Sequence, residues 1–162
     1  MISMVRMQKQ RDLFTRRWRG VEPRAPKEHE LQIQFVNLMK WALRPDVIMF
    51  HVPNGEVRDK RAAAKLKAMG TLSGVSDLVF LWRKYWEDDE GSHTGPGILF
   101  LELKRDGGIR QLTVEQAAFG IAVRAMDIDF EVAGSIDQAV EVVKSRGLLR
   151  SDRQIYGPGL TR

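Results

Sequence analysis

Asp77 and the triplet Glu102-Leu103-Lys104 are the residues of this sequence whose types and spacing suit chemistry. Along an extended strand, residues i and i+2 point to the same side, so Glu102 and Lys104 stand together while Leu103 faces away. Asp77 opens one apolar run, to Trp82, and the triplet closes another that starts at Ile98. Pairing of the two runs would gather two carboxylates and one ammonium. Hard cations such as magnesium take a few carboxylate oxygens and complete an octahedron with water and substrate phosphate. The set therefore suits metal-assisted phosphodiester hydrolysis. The metal would polarise a phosphoryl oxygen and supply hydroxide, and the lysine would orient the water or offset pentacovalent charge. A bare D…ExK spacing also describes an ordinary cross-strand ion pair that does no chemistry.

The elements that must position these groups can be read from periodicity. Leu31, Phe35, Leu38 and Ala42, widened by Val36 and Met39, predict a helix from about Lys27 to Leu43, stopped by Arg44-Pro45. Val47 to Val52 reads as a strand closed by Pro53-Asn54-Gly55. Asp59 to Met69 is a helix with Gly70 beyond it. Asp77–Trp82 and Ile98–Lys104 are mostly apolar and so predict central strands. The polar stretch between them, from Glu87 through Gly97, reads as an exposed acidic hairpin-like loop beside the site. Asp106-Gly107-Gly108 makes the next turn. Thr113-Val114-Glu115-Gln116 fits a capping box and opens a helix to about Met126. A strand over Ile128–Ala133 follows, then a helix capped by Ser135 and ending near Gly147. This order predicts an α/β domain, a mixed sheet with helices on its faces.

The chain has 162 residues, 43% hydrophobic and 29% charged, which suits one globular domain and excludes wholesale disorder. It has no cysteine, so disulfides, thiolate zinc sites and cysteine nucleophiles are out. His29, His51 and His93 are too dispersed for a zinc site. No apolar run approaches the roughly 20 residues of a membrane span, and the N-terminus lacks a secretory apolar core, so a soluble, cytoplasmic protein is expected. The net charge of +5 is concentrated: residues 1–27 carry eight Lys/Arg against Asp12 and Glu22, leaving −1 over 28–162. We expect a basic arm over 1–27, a domain over 28–147 and a basic, loosely ordered tail over 148–162. The arm suits nucleic-acid phosphates, or is a solvated leader.

Five segments surround the chemistry in order: His51-Val52-Pro53-Asn54-Gly55-Glu56, Ala62 through Gly70, Gly74-Val75-Ser76-Asp77-Leu78, Leu101-Glu102-Leu103-Lys104, and Gln116. Together, over about residues 28 to 145, they resemble the VRR-NUC family. This is a branch of the PD-(D/E)xK nucleases that includes stand-alone phage and bacterial enzymes and the catalytic domain of Fanconi-associated nuclease. The resemblance implies a restriction-endonuclease-like core in which Asp77 and Glu102 bind Mg²⁺ or Mn²⁺, Lys104 is the catalytic lysine and Gln116 supports the site. The family's first-helix acid falls on Glu28, with Glu30 a close competitor. Glu28 and Gln32 share a helix face, although Glu28 also suits the first turn merely as an anion, and Gln116 suits a capping box. Ser76 departs from the family's usual proline; proline presets the chain but supplies no catalytic group, so activity is expected to persist.

The implied function is a metal-dependent DNA endonuclease, selective for branched DNA such as Holliday junctions. It would act in a bacterium or phage-infected cell and as a homodimer, because symmetric cutting needs two sites. Arg58, Lys60, Arg61 and Lys65 read as a phosphate-contacting face or a solvated helix surface, and His51 and Asn54 as substrate contacts or a structural turn. The rival readings are a restriction-type sequence-specific endonuclease, a catalytically idle DNA-binding module and a structural assembly protein.

Overall fold

The computed structural model describes residues 27–53, 60–105 and 112–152. The eight expected elements occur in the expected order: α1 (Glu28–Ala42), β1 (Ile48–His51), α2 (Lys60–Ala68), β2 (Leu78–Asp88), β3 (Gly91–Leu103), α3 (Val114–Arg124), β4 (Asp129–Ala133) and α4 (Ile136–Ser145). The strands form one mixed sheet in the order β1-β2-β3-β4, antiparallel at the first two pairings and parallel at the third. The parallel pairing follows from the chain's passage through α3 between β3 and β4, because parallel neighbours need a crossover.

Strand alternation divides the sheet into two packed faces. Leu78, Phe80, Leu99, Leu101 and Leu103 join Phe35 and Met39 of α1 and Ala139 and Val143 of α4 in one core cluster. Phe35 meets Phe80 edge-on at 6.5 Å between ring centroids. Phe100, of the opposite parity, meets Phe119 of α3 at 5.0 Å, and Phe119 in turn meets Phe130 of β4. A β-carbon at Gly120 would lie 2.8 Å from the Phe130 ring, so α3 tolerates a poor helix former there in exchange for close seating. Burying one such phenyl group contributes about 1.5–3 kcal/mol, which makes Phe35 and Phe80 chief anchors of the site end of the sheet.

Two sequence expectations need correction. The acidic stretch after Trp82 is no loop: β2 and β3 stay paired out to Asp88 and Gly91, with a turn at Asp89-Glu90. It also points away from the site, since the turn lies ten residues up β2 from Leu78, roughly 33 Å at strand spacing. The two glycines that suggested a loop, Gly95 and Gly97, make room for rings. A β-carbon at Gly97 would lie 2.2 Å from the Trp82 indole, and one at Gly95 3.1 Å from Trp86. Residues 148–150, expected as the loosely ordered start of a tail, are held to the domain. Leu148 is fully buried, Leu149 bridges Leu43, and Arg150 N–H donates to the Ala42 carbonyl.

Candidate active site

Three elements end at one place. Extending the β2–β3 register by one residue sets Asp77 opposite Glu102, and the Asp77 N–H lies 3.3 Å from Glu102 Oε2. The Leu103 N–H donates to Asp77 Oδ2 at 3.1 Å, so each strand end fixes the other's carboxylate. Glu28 enters from the first turn of α1. Its neighbour Glu30 does not compete for that place, because it folds back to accept from the Lys27 N–H at 2.8 Å and closes the helix start. One carboxylate oxygen from each of Glu28, Asp77 and Glu102 lies within 4.8 Å of the others.

Lys104 bridges the acids. Its Nζ is 2.7 Å from both Glu28 Oε1 and Glu102 Oε1. Gln116 Nε2 also donates to Glu102 Oε1. Gln116 makes two sets of contacts at once: its backbone N–H and side-chain oxygen complete the capping box with Thr113 while its amide nitrogen reaches Glu102. Gly74 makes that reach possible. It has φ +84°, and a β-carbon there would lie 2.4 Å from the Glu115 carbonyl, so the loop before Asp77 presses onto the start of α3.

The electrostatics follow from this crowding. The Glu102 side chain is 1% exposed. Burial and the nearby Asp77 carboxylate push its pKa up to about 7, against the pull of Lys104. Burial likewise raises Asp77, opposed by the Leu103 N–H. Burial pulls Lys104 down, but its bonds to Glu102 and Glu28 outweigh it and leave the pKa raised, so the group stays an ammonium. Three carboxylates against one lysine leave an excess of negative charge. An ordinary salt bridge has no use for the surplus acids, whereas oxygen donors converging over a few ångströms fit a hard divalent cation.

His51 stands at the rim, with Nδ1 2.8 Å from the Asp77 carbonyl and 2.7 Å from Gln32 Nε2. Arg61 and Lys65 are exposed on α2, which Lys60 opens. Arg58 and Asn54 lie outside the described residues. Ser76, in the place of the family's proline, is fully buried and its hydroxyl has no hydrogen-bond partner among the described residues. Sequence reasoning missed the two backbone donors, at Asp77 and Leu103, and the contact made by Gly74. Only the strand register exposes the former, and only the packing of α3 the latter.

No protein-family profile matches the chain, and no curated protein matches it. Among solved structures, one named "VRR_NUC domain protein" superposes with a TM-score of 0.54 at 22% identity, covering 76% of this chain and 89% of that one. At that identity the likeness establishes the fold, a mixed sheet flanked by helices, shared with that protein. No helix among the described residues is long and apolar enough to cross a membrane.

Proposed function

We propose that this chain is a Mg²⁺- or Mn²⁺-dependent DNA endonuclease of the stand-alone VRR-NUC type, acting on branched or otherwise structured DNA. The observation that carries the reading is the convergence of Glu28, Asp77 and Glu102 beside Lys104 at one end of a nuclease-like fold. The three acids would hold the cation, which when bound supplies Lewis acidity at a phosphoryl oxygen. Lys104, kept protonated by its acidic neighbours, cannot serve as a base near neutral pH. It donates instead, orienting the attacking water or stabilising the charge that grows on the pentacovalent phosphorus. Gln116 fixes the Glu102 carboxylate, and Asp77 is fixed by the Leu103 N–H.

The exposed Arg61 and Lys65 of α2, with Lys60, Arg58 and the basic residues of 1–27, supply cations for the phosphate backbone, a contact that reads shape more than sequence. Symmetric cutting of a four-way junction needs two sites and so a twofold pair of chains. The test is cleavage of linear duplex, single strand, flap, splayed arm and four-way junction with either metal. Preferential cutting of one branched substrate is expected. Equal cutting of all substrates would remove the structure selectivity, and cutting at one linear sequence would favour a restriction-type enzyme.

A further inference from the structure

His51 reads from sequence as a substrate contact or a hydrogen-bonded structural residue, and its surroundings suit the second. Its Nδ1 is occupied on the protein side by the Asp77 carbonyl and by the Gln32 amide. A carbonyl only accepts, so the ring carries its proton on Nδ1, and the Gln32 amide, whose two ends exchange by a half-turn, meets that N–H with its oxygen. The same carbonyl also accepts from the Val52 N–H at 3.1 Å. Asp77 is thus held at its carbonyl by β1, at its N–H by Glu102 and at its carboxylate by Leu103.

Gln32 extends the hold to a second acid. It lies one helical turn beyond Glu28 on α1, and residues four apart share a face. Anchoring Gln32 to β1 therefore sets the rotation and height of the helix start that carries Glu28 to Lys104. Among the described residues, this is a side-chain hydrogen bond that ties α1 to the strand beside Asp77.

We propose that His51 and Gln32 form one positioning unit that sets the separation of Glu28 and Asp77, the two acids at the open side of the site, without touching substrate. The proposal rests on the reading of those acids as metal ligands and adds what holds them in register. Outer partners of metal ligands change affinity by roughly 10- to 100-fold when removed, because ligands that must be reordered bind less well.

The test is calorimetric Mn²⁺ titration of the full chain, with steady-state cleavage measured alongside. His51→Ala and Gln32→Met should each weaken Mn²⁺ binding about tenfold or more and lower kcat with little change in KM for DNA. The double variant should be no worse than the weaker single, since both remove one unit. His51→Asn, whose amide N–H can donate to the Asp77 carbonyl, should restore most of the affinity. Both positions lie at the surface end of the network, and circular dichroism checks that each variant folds. Unchanged Mn²⁺ affinity with a raised KM in His51→Ala would overturn the proposal and make His51 a DNA contact. Additive losses, or no rescue by asparagine, would also overturn it. Absence of Mn²⁺ binding in the wild-type chain would instead remove the metal reading of the acids, and this proposal with it.

Discussion

The β2–β3 hairpin has two ends with opposite physical characters. At the inner end, Glu102 and Lys104 are buried and Asp77 is half-buried among packed apolar side chains, and each of these three charges has a named donor or partner. At the outer end the same two strands run out beyond β1 and β4 as a ribbon, with Tyr85 67% exposed and Trp86 stacked on His93 at 5.6 Å. Acids are abundant at both ends. At the inner end Asp77 and Glu102 converge, and burial raises the pKa of both. A count of charged residues along the hairpin would have pointed to the acidic tip, whereas desolvation points to the base.

The contrast breaks most visibly in catalysis. Asp77→Asn or Glu102→Gln should lower metal-dependent cleavage by at least about 100- to 1,000-fold, as expected for groups that would hold the cation acting on transition-state charge. Tyr85→Ser on the ribbon should leave the rate within about threefold. Comparable losses at both ends, in a gel assay of initial rates, would erase the distinction.

The next effect is on stability against pH. The folded-state pKa of Glu102 stands above its ordinary value, so the stability associated with its protonated form is fully present only below pH 4.5 and is lost as pH rises through about 7. Urea unfolding of the metal-free chain should therefore show stability falling between pH 5 and 8. The loss from this group is up to about 3 kcal/mol, the equivalent of that rise. Glu102→Gln should flatten the trend, and added Mn²⁺ should offset the loss chiefly at the alkaline end. A slope unchanged by Glu102→Gln would assign the pH dependence elsewhere.

Gly74→Ala tests the seam between the Asp77 loop and α3. With φ +84° and a contact of 2.4 Å to the Glu115 carbonyl, the methyl group should cost roughly 1–3 kcal/mol and draw Gln116 off Glu102. Thermal unfolding reports the first effect and cleavage rate the second. The smallest change belongs to the ribbon: Trp86→Ala should cost less than about 1 kcal/mol in global unfolding, since a two-stranded ribbon is coupled weakly to the core. A large loss there would mean that the two ends fold as one unit.

What the sequence disclosed follows the same division. The order of elements was legible because each helix and central strand keeps its apolar period, as Leu31, Phe35 and Leu38 do. The pairing of Asp77 with Glu102 was legible as a condition, since two strands of that length had to pair somewhere. The choice of Glu28 over Glu30 was not, because it depends on which acid the helix cap consumes. The ribbon was misread because Gly95, Pro96 and Gly97 look like loop residues until the tryptophans lying over the two glycines are seen. Leu148 through Arg150 looked like tail because their partners, Leu43, Arg44 and Ala42, are a hundred residues earlier.

The most direct test of the central claim is Lys104→Ala, measured for Mn²⁺ affinity and for single-turnover DNA cleavage against the wild-type chain, with and without chelator. If the constellation is a metal-dependent nuclease site, the wild type cuts only with metal. The variant should bind Mn²⁺ at least as well, because the ammonium that shares Glu28 and Glu102 is gone, yet cut at least about 100-fold more slowly. Cleavage by the variant at the wild-type rate, or no metal-dependent cleavage by the wild type on any substrate, would contradict the account and leave Lys104 as the partner in an ion pair.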